Sequence, residues 1–161
     1  MGPRGTLGCL VAAATLLSGA GPASAAEQTR DGYRAEAEPI CKVNVEANDR
    51  ILQGVRAEIR SGKLKQAGAR FAKAAAALRE AHDQLQALPK PPHDSSRLSR
   101  WLGYIQTEVQ LLEQVARDLE NGKKAAASRL AVRLSSTIAR ANSEVLEFEF
   151  DYCHVKPSQF I

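Results

Sequence analysis

The side chains able to do chemistry in this chain are few, and their spacing narrows the chemistry further. Of three cysteines, Cys9 lies in an apolar N-terminal stretch, which leaves Cys41 and Cys153 as a widely separated pair. In an oxidising compartment such a pair forms a disulfide rather than a nucleophile. Three histidines, His82, His93 and His154, are the other candidates for metal binding or proton transfer. None belongs to the Glu-x-x-His pairs of di-iron bundles, and His-Glu-x-x-His and Cys-x-x-Cys-His are missing. Asp151 and His154, three apart, share a helix face only if a helix runs through them. No Gly-x-Ser-x-Gly and no Gly-rich phosphate loop is present. Met1 is the sole methionine, so a processed chain offers no thioether to copper or haem iron. These residues predict no enzyme, no metal and no cofactor, with the histidines exposed to solvent.

The disulfide reading depends on export, and the N-terminus has the parts of a secretory signal. Arg4 gives a positive start, Leu7 to Ala20 carries no charge, and Pro22 precedes the small residues Ala23-Ser24-Ala25-Ala26. The cut is expected after Ala25 or Ala26. A retained anchor would need about 20 apolar residues, more than this Gly-interrupted stretch provides. A lipoprotein is disfavoured because Cys9 precedes the apolar stretch, and a single arginine does not make a twin-arginine signal. The expected organisation is a signal over 1–25, a polar segment over 26–32, a helical domain over 33–153 and a tail over 154–161.

Removing 1–25 leaves 136 residues, enough for one domain with a core of its own. With 22 Lys and Arg against 18 Asp and Glu, and Arg4 the only charge removed, that domain carries +3. So mild a balance is not the footprint of a nucleic-acid binder. Aromatics make up 5% of the chain and alanine is abundant, which favours helix over strand.

Four stretches place apolar residues in alternating steps of three and four. The first, about Tyr33 to Ser61, carries Cys41, Val45, Asn48, Leu52, Val55 and Ile59. Pro39 is tolerated near that helix's start and would kink or delay it otherwise. The second, about Lys65 to Leu88, carries Phe71, Ala74, Leu78, Ala81, Leu85 and Leu88. The third, about Ser96 to Asn121, carries Leu98, Leu102, Ile105, Val109, Leu112, Ala116 and Leu119. The fourth, about Lys123 to Tyr152, carries Ala127, Leu130, Leu134, Ala141, Val145, Phe148 and Tyr152. Within it Phe148 to Tyr152 alternates with period two and is taken as the helix end.

Gly62 and Gly122 fall where a helix C-terminus wants a left-handed residue, and Pro89-Lys90-Pro91-Pro92 breaks the middle. Asp94, Ser95 or Ser96 can cap the third helix. Val55 to Lys63 (VRAEIRSGK) parallels Val115 to Lys123 (VARDLENGK), as a duplicated helical hairpin or two convergent turns would. The expected fold is all-α, an up-down-up-down antiparallel four-helix bundle. That topology returns the end of helix four to the start of helix one, where Cys153 and Cys41 sit, so one disulfide closes it.

Charge then separates the two ends. Around the Gly turns, residues 56–73 and 115–133 hold 11 basic against 3 acidic side chains, a net +8. The cysteine end holds Glu36, Glu38, Glu46, Glu144, Glu147, Glu149 and Asp151, so the molecule is expected to be a charge dipole. Lys63, Lys65, Lys123 and Lys124 begin helices, where cations are mildly unfavourable. Arg60, Lys63, Lys65, Lys123, Lys124 and Arg129 are therefore candidates for an anionic partner of the cell envelope, a lipid headgroup or an acidic polymer. No aromatic residue is interleaved with them, which argues against nucleic acid. Trp101 and Tyr104, beside the stripe of helix three, and Asn48, on the stripe of helix one, could line a groove for a small apolar ligand. The bland alternatives are a solvated basic tip, a wide buried face on helix three and a register-fixing Asn48.

Pro39-Ile40-Cys41-Lys42-Val43-Asn44, Trp101-Leu102-Gly103-Tyr104 and Tyr152-Cys153-His154-Val155-Lys156-Pro157-Ser158 resemble a family of uncharacterised secreted helical proteins from high-GC, actinobacterial-type bacteria. The resemblance spans most of the processed chain, supports the cysteine pairing and implies no activity. The expectation is an exported, non-catalytic envelope module with no membrane-spanning segment. Its alternative is a carrier of a small apolar ligand or metal in the core. Pairing of two copies through helix three is left open.

Overall fold

A computed structural model describes residues 27–155. The expected signal over 1–25 and residues 156–161 of the tail lie outside the described residues. Every regular element among the described residues is helical: α1 (Arg30–Leu52), α2 (Val55–Arg60), α3 (Leu64–Ala87), α4 (Ser95–Glu120) and α5 (Lys124–Glu144). Two short 3-10 turns, Pro92–Asp94 and Leu146–Phe148, complete the set.

The first helix starts earlier than the periodicity suggests and stops sooner. Thr29 caps it, its Oγ1 accepting from the Gly32 N–H at 3.0 Å, so Pro39 falls in the helix interior and not at its start. The helix runs through Pro39, whose ring is exposed to solvent. The break comes at Gln53-Gly54, where Gly54 is left-handed (φ 81°) and α2 begins anew at Val55. The periodic row crosses this break because Leu52 and Val55 stay buried on both sides of it.

The two Gly turns are matched atom for atom. In the first, Gly62 N–H donates to Ile59 C=O and Lys63 N–H to Glu58 C=O; in the second, Gly122 N–H donates to Leu119 and Lys123 N–H to Asp118. Both are Schellman closures, with φ of 78° and 74° at the glycines. Asp94 precedes α4 but does not cap it. Its carboxylate is taken instead by Arg30 of α1, through bonds of 3.0 and 2.8 Å.

α3 packs against α4, α4 against α5 and α1 against α3, while α1 and α5 make little direct contact. α4 is the most enclosed helix. Leu98, Trp101, Leu102, Ile105, Val109, Leu111, Leu112, Val115, Ala116 and Leu119 are all buried, so the row beside its stripe is core and not an open groove. Fully burying one such leucine contributes roughly 1.5–3 kcal/mol. α1 is the exception in kind: its inner face runs Tyr33, Ala37, Cys41, Asn44, Asn48 and Leu52, two of them amides.

The fourth long helix ends at Glu144, eight residues before the expected Tyr152. From Val145 to Val155 the chain is a strap. Phe148 and Phe150 both point inward because Glu149 between them adopts a left-handed backbone (φ 52°). Tyr33, Phe148, Phe150 and Trp101 form one aromatic run, edge-on at 6.1 Å and then stacked at 5.3 and 5.7 Å. The packing of these rings overrides the local helical pattern, and Asp151 and His154 share no helix face.

Candidate functional site

Two places gather polar groups: the end carrying the Gly turns and the interior behind the strap. At the first, Gly68 lets α3 sit against the end of α4. A Cβ there would lie 2.8 Å from the Ala116 carbonyl oxygen and 2.7 Å from Glu120 Cγ. That approach places the two turns side by side, and residues 62–66 and 119–122 line one open groove. Lys63, Lys65, Lys123 and Lys124 flank it, all exposed. Arg129 lines a neighbouring groove with Arg117, Arg133 and Asp118. Neither α3 nor α5 has a capping side chain at its N-terminus, because the capping position is Lys63 in one and Lys123 in the other, and lysine only donates. Arg70 is engaged, donating to Glu58 at 2.9 Å and to the Ile51 carbonyl at 2.9 Å. No ion pair or hydrogen bond reaches the side chains of Arg60, Lys63, Lys65, Lys123, Lys124 or Arg129 among the described residues.

The interior place is built on the disulfide. Cys41 of α1 and Cys153 of the strap are bonded, with Cα atoms 5.0 Å apart and 112 positions between them in sequence. Three further contacts hold the strap. The Glu38 carboxylate accepts from the Asp151 and Tyr152 N–H groups at 2.6 and 3.0 Å. The Asn142 side chain makes both an accepting (3.1 Å) and a donating (2.7 Å) bond to the backbone of Val155. Lys42 lies over the Tyr152 ring at 5.4 Å. No family model, curated protein or solved structure matches this chain. The site must therefore be read from its own chemistry.

Behind the strap lies a small, partly enclosed cavity of about 30 Å³, with Trp101, Ile105 and Glu108 of α4, Asn44 of α1 and Asn142 of α5 on its wall. Trp101, expected to line a groove, does line this cavity; Tyr104 and Asn48 do not. Asn48 is buried one turn away, its Nδ2 donating to Asn44 Oδ1 at 3.0 Å and its own Oδ1 left without a partner. Burial pushes the Glu108 carboxyl up to about 8, so it keeps its proton at neutral pH. Sequence reasoning passed over this residue. The signal was available: Trp101, Ile105, Glu108 and Leu112 succeed each other in steps of four, three and four, which sets a carboxyl into an apolar row.

The histidines do not converge. His93 and His154 are exposed as expected, but His82 is buried in α3, its Nδ1 at 3.3 Å from Asp83 Oδ1. Among the described residues no group of three or more His, Cys, Asp or Glu side chains could hold a metal ion. No helix among them is long and apolar enough to cross a membrane. The acidic end is also less acidic in effect than its sequence suggests. Arg30 pairs with Asp94 and Glu147, Arg34 with Glu149, Arg97 with Glu147 and Arg100 with Glu144.

Proposed function

We propose that this chain is an exported, non-catalytic interaction module of the cell envelope, an up-down-up-down helical bundle clipped by its disulfide. Its basic end docks on an anionic surface. One observation carries the reading: two matched turns, drawn together by Gly68, present cations that have no acidic partner of their own. An unpaired cation costs little in water, yet lysine at the first positions of α3 and α5 works against the helix dipole. Closely spaced anionic groups, phosphates above all, would be attracted by the charges and by the free N–H groups of the first turns. The disulfide and the signal-like N-terminus support export.

Sedimentation with vesicles containing or lacking anionic lipid, and titration with soluble polyphosphate, test this directly. The expected result is binding that weakens steeply with salt and is abolished by the joint reversal Lys63→Glu, Lys65→Glu, Lys123→Glu and Lys124→Glu. Binding that survives the reversal rejects the docking role. Preference for vesicles over polyphosphate assigns a membrane surface, and the converse an acidic polymer.

The carrier reading has less behind it. An apolar ligand such as benzene fills roughly 150 Å³ in an engineered cavity, against the 30 Å³ enclosed beside the disulfide.

A further inference from the structure

Glu108 is a buried carboxyl whose needs the fold leaves unmet. It is 4% exposed and, among the described residues, no hydrogen bond or ion pair reaches it. The other buried acid, Asp94, is answered by Arg30 through two bonds. A carboxyl set among Trp101, Ile105, Leu78 and Leu85 destabilises the fold, and a leucine or methionine there would serve packing better. Glu108 also has somewhere to act, because it lies on the wall of this cavity.

The wall selects the kind of ligand. No lysine, arginine or histidine lines the cavity, so an anion would meet only the carboxyl and is excluded. A divalent metal would find a single acidic ligand, with no group of three metal-binding side chains among the described residues. A purely apolar occupant would leave Glu108 as unmatched as before. Asn48 Oδ1, one turn along α1 from Asn44, is a second buried acceptor without a donor. What the ionised form of Glu108 lacks is a donor, and one bearing positive charge would satisfy that carboxylate fully. Size sets the last limit: at about 10–15 Å³ per water-sized occupant, 30 Å³ admits two non-hydrogen atoms.

We propose that the cavity behind the strap binds a primary ammonium group, with Glu108 as its carboxylate partner and methylammonium as the species whose two non-hydrogen atoms match its volume. The site is independent of the basic end, and either can fail without the other. Binding has a defined proton balance. Free Glu108 holds a proton at neutral pH. When the ammonium ion enters, that proton leaves to solvent and the carboxylate remains, so about one proton is released per ammonium bound. Tyr152 is the other titratable side chain on the wall, and both cysteines are bonded.

The test is calorimetric titration of methylammonium chloride into the oxidised protein at neutral pH, in two buffers of different ionisation heat, with methanol as the uncharged size match. Saturable binding with about one proton released, little or no binding of methanol, and an affinity about 10-fold or more lower in Glu108→Gln support the site. Glu108→Gln preserves shape and removes the charge. Equal binding of methanol, unchanged binding in Glu108→Gln, or no saturable binding of methylammonium each overturns the proposal. Binding by the wild-type protein without proton release overturns it too, whatever the variant does.

Discussion

The two ends of this molecule treat charge in opposite ways. At the disulfide end three arginines are answered, Arg30 by Asp94 at 2.8 Å, Arg97 by Glu147 at 2.7 Å and Arg100 by Glu144 at 2.9 Å, while Lys90 forms no ion pair among the described residues. Even the half-buried Glu38 is engaged, holding two backbone N–H groups of the strap. At the Gly-turn end the lysines flank a groove and form no ion pair among the described residues, although Glu120 is on its wall. The same helices run between both ends, so the difference does not come from helix propensity. It separates charges that shape the fold from charges that the fold leaves for something else. The disulfide end also carries the cost of ordering an irregular segment, and its rings, amide and disulfide offset that cost together.

The sharpest way to break this contrast is to remove the disulfide. Replacing Cys41 and Cys153 by serine releases a loop of about 110 residues, worth roughly 4–5 kcal/mol in the chain-entropy model. Denaturant melts should show a loss of that order, with the Trp101 emission changing first as the strap leaves. A loss below about 1 kcal/mol would mean that the aromatic run and Glu38 hold the strap unaided.

Next in size is the pH dependence of stability. Glu108 is protonated in the folded protein up to about 8, while an unfolded carboxyl ionises near its ordinary value of 4.5. Its contribution is therefore complete below 4.5 and is lost as pH rises towards 8, at about 1.4 kcal/mol per pH unit. Asp94 behaves in the opposite sense. Its hydrogen bonds to Arg30 hold it below the usual 3.8, so its contribution is present above that value and fades as pH falls through the lowered one. Melts across pH should show greatest stability between these two limits and a decline towards pH 8. Glu108→Gln should flatten the alkaline decline and leave the acid limb in place. An unchanged alkaline decline would remove Glu108 as its cause.

How much of this was legible in the sequence varies with the kind of force involved. The helices could be read because Leu98, Leu102, Ile105, Val109 and Leu112 repeat on one face, and burial tracks that repeat. The turns could be read because only a left-handed residue closes them, and Gly62 and Gly122 stand in the right places. The pairing of Cys41 with Cys153 could be read from two cysteines at opposite ends of a processed chain. The strap could not be read. Phe150 leaves the helical pattern to stack on Trp101, some 50 positions away, and Phe148 stacks on Phe150, contacts that local pattern does not encode. The break at Gly54 was hidden because Leu52 and Val55 keep the row intact across it. The basic end was visible as composition, but Gly68, which brings its halves together, reads as an ordinary helical glycine until its distance to Ala116 is known.

The smallest expected effect bears on the basic end itself. Lys124→Glu puts an acid at the first position of α5, and should raise stability by about 0.3–1 kcal/mol through the helix dipole. The same change should weaken binding to anionic vesicles. A variant that melts higher and binds less would show that Lys124 is kept for contact, not for folding. One that melts lower would place an unseen structural duty on this lysine.

The disulfide has a mechanical consequence as well. Cys41 lies near one end of the described chain and Cys153 near the other, so the bond spans nearly the whole domain. A pull applied to the two ends passes from the first turns of α1 through the sulfur bridge to the final residues of the strap. The load path bypasses α3, α4 and α5, which feel no tension until the bridge is cut. A protein tethered by one end and tugged by the other would lengthen only by the few residues outside the bridge, with its basic surface still folded.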